Sequence, residues 1–338
     1  MRKIDFIFPI VAILVVLIVN ILANHLETKR IGKEPNGNAV YYWRTSFYLN
    51  DYERNFLLQN NIKKIYLRFF DVDVNKHLAY NDKCAPVATT SFGCIPDDVE
   101  IIPVIFITPK AIKEYVSFSD NLVHRLYAMC QNHGIDIEEV QFDCDWTTST
   151  RDDYFQFLKK VEPVLRSYFK KQIKISSTIR LHQLAQDPPE VAYGVLMCYN
   201  TGDFKDYETD NSILDVKDVK PYLKNLKKYN LPLALALPVY SWCVEFDKDK
   251  HFAQLNKSDY SVTDTTLFNH LKDNRYEMRM TYPKSPTHYV RYELPSAETI
   301  LRVKQMVQKR NNMPVVLFHL DENQLSKYTE DEIKAFYM

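Results

Sequence analysis

Asp143 and Asp145 end a short run, Glu139-Val140-Gln141-Phe142-Asp143-Cys144-Asp145. Its alternation predicts a strand with Gln141, Asp143 and Asp145 on one side and Val140, Phe142 and Cys144 on the other. A carboxylate taken into an interior is costly unless it is paired or hydrogen-bonded, so two of them on one side of a buried strand call for a chemical reason. Two such groups can divide acid and base work: one donates a proton while a second carboxylate attacks or activates water. Asp145 is the candidate acid, with Asp143 beside it. Glu245, just past a later strand, is the candidate partner. The alternative is a structural ion network, with Asp143 held by an inward arginine such as Arg68 and Glu245 a solvated loop charge.

The elements that must position these groups are legible as eight short apolar runs: Ala39 to Trp43, Lys64 to Phe70, Ile101 to Ile107, Glu139 to Asp145, Lys174 to Leu181, Gly194 to Asn200, Leu233 to Tyr240 and Val315 to Leu320. Helical patterns follow several of them, at Asp51 to Gln59, Ser119 to Asn132, Arg151 to Phe169, Val219 to Lys228 and Ser296 to Arg310. Strands alternating with helices predict a parallel sheet, and eight repeats over this length predict a (β/α)8 TIM barrel. Two units depart from the pattern: a Cys/Pro-containing loop joins the second and third strands, and only HQLAQDPPEVA follows the fifth. Between the seventh and eighth strands, about 243–295, lies an insertion whose alternating runs Arg275 to Tyr282 and His288 to Pro295 read as a β-hairpin. Insertions on that face sit where barrel active sites are built.

Strand ends supply the remaining candidates. Arg180 and His182 close the fifth run, Tyr199 and Asn200 the sixth, Tyr240 and Trp242 the seventh. Sugar rings offer C–H faces to aromatic rings and hydroxyls to polar side chains, which this mixture can satisfy. Ordinary barrel filling, with Arg180 in a salt bridge to Asp143 or Asp145, is the other reading.

Upstream, Phe6 to Ala23 is almost wholly apolar and close to the roughly 20 residues a bilayer-spanning helix needs. Asn24 and His25 follow it, so residues 1–30 read as a membrane anchor or an export signal, and the lack of a good small-residue cleavage site favours the uncleaved anchor. Residues 31–38 (IGKEPNGN) form a linker and 39–338 the barrel, which is expected outside the cytoplasm as part of the cell envelope. Lys plus Arg and Asp plus Glu number 43 each, so nucleic-acid capture is not expected. Cys84 and Cys94, in one irregular stretch, could form a disulfide; the other four cysteines read as buried apolar residues. No cysteine or histidine pair has metal-site spacing, and Asp71-Val72-Asp73-Val74-Asn75 lacks the glycine and distal glutamate of a calcium loop, so no metal or cofactor is expected.

Taken in order, four strand ends resemble those of chitinase-like glycoside hydrolases: Phe142-Asp143-Cys144-Asp145-Trp146-Thr147, Met197-Cys198-Tyr199-Asn200, Pro238-Val239-Tyr240, and Phe318 before His319-Leu320-Asp321. The resemblance implies a TIM barrel with an α+β insertion after the seventh strand. It also implies a glycan partner, and Phe318 in place of the tryptophan that floors the sugar site. In that family a glutamate at the position of Thr147 is the general acid, and a threonine hydroxyl does not titrate usefully near neutral pH. Either the acid has moved, to Asp145, or hydrolysis is lost and the groove only binds sugar. The expectation is thus a glycoside hydrolase-like protein acting on or binding a polysaccharide or glycan. The alternative is a noncatalytic carbohydrate-binding or envelope scaffold.

Overall fold

The computed structural model describes residues 37–75, 77, 83–256, 261–279, 287–309 and 312–338. The apolar run Phe6 to Ala23 lies outside them. Among the described residues no helix is long and apolar enough to cross a membrane.

All eight expected strands form, at Ala39–Tyr42, Lys64–Val74, Glu100–Ile107, Glu139–Asp143, Lys174–Arg180, Tyr193–Met197, Leu233–Pro238 and Val315–Phe318. Each pairs in parallel with its neighbours in sequence, and the first pairs with both the second and the eighth, which closes the barrel. Outward residues such as Val140, Phe142 and Ile179 are buried beneath the helices. The sixth strand packs tightly at Gly194, where a Cβ would lie 2.6 Å from the Ile179 side chain and 2.9 Å from Leu233. Only glycine fits there without displacing a packed neighbour.

The helices follow local chemistry. Asn50 and Glu53 form a capping box that starts the helix Asp51–Gln59. Arg151–Phe169 buries Tyr154, Phe157, Leu158, Val161 and Leu165 at helical spacing. Tyr115–His133 begins four residues ahead of its sequence pattern and stops at Gly134, in the left-handed conformation at φ 63°. The expected helix Val219 to Lys228 is instead three short turns, Val216–Val219, Lys220–Tyr222 and Leu223–Leu226, with a proline near the start of the middle one. As expected, the fifth strand is followed only by a 3-10 turn, Leu181–Ala185.

The connection between the second and third strands holds two short strands, and these separate the two cysteines expected to pair. Cys84 starts a strand (Cys84–Val87) that runs antiparallel to the end of the second barrel strand, whereas Cys94 follows Ser91–Phe92, which pairs with Ser46–Phe47. Both thiols are free; the Cys84 Sγ faces the Ala111 carbonyl and the Cys94 Sγ its neighbour Ile95. The expected disulfide is therefore not present.

The insertion is larger than a hairpin. Arg275–Met278 pairs with Tyr289–Glu293 as the alternation predicts, but the sheet has five antiparallel strands. Trp242–Phe246 lies against Tyr289–Glu293 and carries Phe252–Asn256 on its far side, and Phe268–Lys272 lies beyond Arg275–Met278.

Candidate functional site

At the C-terminal mouth of the barrel lies a cleft of about 340 Å³ lined by residues at or just past the ends of all eight barrel strands, among them Trp43, Asp71, Asp143, Asp145, Arg180, Tyr199, Asn200, Tyr240, Trp242, Phe318 and Gln324. Strand alternation delivers the acids as expected. Their partner is Arg180, one strand over: its Nε donates to Asp145 Oδ1 and its Nη2 lies 3.3 Å from Asp143 Oδ1, which also accepts the Thr178 hydroxyl at 2.6 Å. Arg68 does not hold Asp143. A register shift after Arg68 brings Asp71 to the same side, and that pair closes on itself through two hydrogen bonds.

The two acids differ in solvent. The Asp143 side chain is 5% exposed and that of Asp145 46%. Burial pushes the Asp143 carboxyl up, and neighbouring Asp145 adds to this, while Arg180 and the Thr178 hydroxyl pull it back. Burial works against the charge of Arg180, yet Asp143 and Asp145 together hold its pKa above the ordinary value. The three groups thus form one ion cluster.

An aromatic wall faces this cluster. Tyr199 and Phe318 lie 4.9 Å apart between ring centroids, Tyr240 and Trp242 5.6 Å, and Trp43 and Phe318 5.8 Å. The Tyr240 hydroxyl donates to Asn200 Oδ1 at 2.7 Å. Burial pushes the Tyr199 and Tyr240 hydroxyls up, so both remain neutral donors. The Trp242 indole N–H donates to Glu293 Oε2 at 2.9 Å, and Glu293 is paired with the fully buried Arg291. Arg291 in turn donates to the carbonyls of Phe204, Asp206 and Tyr207, so the insertion sheet and the long sixth connection are clamped together behind Trp242.

Two expected site residues are placed elsewhere. Glu245 is three residues beyond Trp242 on one strand and so faces the opposite way; it is buried in the insertion sheet, where it accepts from Thr287 at 2.5 Å and Gln254 at 2.8 Å. His182 is exposed on the turn after the fifth strand. Its neighbour Gln183 points inward and donates to the Trp146 carbonyl at 2.9 Å, pinning the chain past the fourth strand. Thr147 is taken up in the turn that opens the next helix: its N–H donates to Thr150 Oγ1 and its hydroxyl meets Ser149 at 3.0 Å. Cleft residues not singled out in sequence include Trp43, Phe106, Ser241, His319 and Gln324; Arg68, expected inward as a partner of Asp143, lines the cleft as a partner of Asp71. Counting by twos from Tyr41, whose ring stacks on that of Tyr66 inside the barrel, would have found Trp43.

Among solved structures, the Bacillus cereus spore cortex-lytic enzyme SleL is similar to this chain with a TM-score of 0.53 at 13% identity, over 91% of this chain and 76% of that one. A chitinase from Chromobacterium violaceum ATCC 12472 gives 0.53 at 9% identity, over 89% and 98%. A plant class V chitinase mutant from Cycas revoluta in complex with (GlcNAc)3 gives 0.50 at 9%, over 89% and 99%. At such identities the likeness shows the fold, a chitinase-like TIM barrel. No protein-family model and no curated protein matches the sequence.

Proposed function

We propose that the protein is a membrane-anchored, extracytoplasmic barrel that binds a glycan in its mouth and does not cleave it. One observation carries this reading: every carboxylate lining the cleft is already engaged by a guanidinium, Asp71 by Arg68 and both Asp143 and Asp145 by Arg180, while aromatic side chains line the same cleft. A general acid must present its proton to the leaving oxygen, and these carboxylate oxygens are turned to a guanidinium instead. Thr147 supplies no replacement. Glycoside hydrolase-like chemistry through Asp145 is the second reading, favoured by the exposure of its side chain.

Oligomers of N-acetylglucosamine are the first ligands to try, because chitinases share this fold and one of them holds (GlcNAc)3. A glycan array including (GlcNAc)4, read together with the release of reducing ends, tests the proposal. Binding without release is expected, and failure of every glycan to bind overturns it. The apolar run Phe6 to Ala23 supports the anchored placement. Carbonate extraction of membranes and protease treatment of intact cells test that part: a soluble protein, or a barrel shielded from protease, contradicts it.

A further inference from the structure

Gln324 is held in a way that leaves one half of its amide for a ligand. It lies near the start of the loop after the eighth strand, in the short helix Glu322–Leu325, and is 8% exposed. Its Oε1 accepts from the Ser241 backbone N–H at 2.9 Å, the Ser241 hydroxyl at 3.2 Å and the Lys327 ammonium at 3.0 Å. Lys327 also donates to Ser241 Oγ at 2.6 Å, closing the arrangement. A backbone N–H and an ammonium can only donate, so they fix which end of the amide is oxygen. The Nε2 end therefore carries two N–H donors, has no partner among the described residues, and belongs to a residue that lines the cleft.

The rest of the cleft is rich in acceptors. Asp71, Asp143 and Asp145 present carboxylate oxygens, and each of the two arginines turns its Nε and Nη2 toward them. A ligand hydroxyl can satisfy those acceptors by donating. A carbonyl oxygen cannot donate, so it gains nothing from a carboxylate and needs an N–H. Resting on the glycan reading above, we propose that Gln324 is a specificity-determining residue whose Nε2 donates to the carbonyl oxygen of an acyl substituent on the bound sugar, with Ser241 and Lys327 as its positioning residues.

The test compares binding of (GlcNAc)4 and cellotetraose, which share a β-1,4 backbone and differ in bearing an acetamido group or a hydroxyl, to the unaltered protein and to Gln324→Glu. The substitution keeps an oxygen facing Ser241 and Lys327 and so preserves the fold, but it replaces the donor in the cleft by an acceptor. The unaltered protein should prefer (GlcNAc)4, and the variant should lose that preference by about tenfold or more, the size expected when a binding site is left unable to pair a ligand group. Thermal melting of both proteins separates this from unfolding, and Gln324→Met, which removes both amide ends, should lose the same preference. If the unaltered protein binds neither oligosaccharide, the proposal falls together with the glycan reading for this ligand class. If it binds (GlcNAc)4 and the preference survives Gln324→Glu, the assignment of Gln324 is wrong and the glycan reading stands.

Discussion

The fourth strand carries acids at both ends of the barrel on the same inward side, and the two ends treat them differently. At the floor, Glu139 has no exposed side-chain surface. It accepts from the hydroxyls of Ser176, at 2.6 Å, and Tyr193, and the Tyr193 hydroxyl meets that of Tyr66. Gln141, one step up, accepts from Tyr41 at 2.6 Å. At the mouth, Asp143 and Asp145 share a guanidinium, and Asp145 reaches solvent. Identical alternation thus produces a buried hydroxyl network below, with the Lys174 ammonium 3.6 Å from Glu139 at its edge, and an ion cluster that reaches solvent above. What separates a packing device from a binding surface here is the partner and the water, as expected for a barrel whose function sits at the C-terminal face.

The largest break of this contrast is Arg180→Met. It leaves the buried Asp143 without its cation and should cost about 3–5 kcal/mol of stability, the usual effect of removing one member of a buried pair, and should abolish glycan binding. Urea denaturation and titration with (GlcNAc)4 measure both; a stable variant that still binds would show that the cluster holds nothing together. Trp242→Ala removes an aromatic face that Glu293 orients, and it should weaken binding by about 2 kcal/mol, as for a central aromatic contact; because Trp242 is buried, it should also cost about 3 kcal/mol of stability. Tyr240→Phe deletes only the bond to Asn200 and should cost about 1 kcal/mol in affinity.

Glu139→Gln probes the floor and should leave binding unchanged. Its signature is in pH. Burial raises the Glu139 pKa, against the hydroxyls of Ser176 and Tyr193 and the ammoniums of Lys174 and Lys64. An acid whose pKa is raised on folding binds more protons in the native state, so its contribution is fully present below the unfolded glutamate pKa and is lost as pH rises through the folded one. Glu139→Gln should therefore gain stability relative to the unaltered protein as pH rises through that window and lose the advantage as pH falls. A difference in stability that does not vary with pH would contradict it.

The barrel was legible because eight apolar runs, each closed by turn residues, leave few other ways to bury so many short strands. The insertion was legible only where alternation is strong, at Arg275–Met278 and Tyr289–Glu293. Phe252–Asn256 and Phe268–Lys272 are short and half-solvated, and their polar residues mask the period. Asp143, Asp145, Arg180, Tyr199, Asn200, Tyr240, Trp242 and Phe318 were found at strand ends, where position in the barrel follows from sequence order. Glu245 and His182 were misplaced because the chain turns immediately after those ends, and a single residue's shift reverses the direction of a side chain. Gln324 could not have been recognised, since its role depends on Ser241, which is distant in sequence and brought to it only by the closed barrel.

The mouth is expected to hold a glycan without hydrolysing it. Incubation of (GlcNAc)4 with the purified protein, followed by calorimetric titration and by chromatography of the same mixture, tests it most directly. Saturable binding and an intact tetramer are expected. Shorter oligomers that appear with the unaltered protein and disappear with Asp145→Asn, a change that removes the catalytic proton while keeping the shape of the side chain, would contradict it and establish Asp145 as the acid.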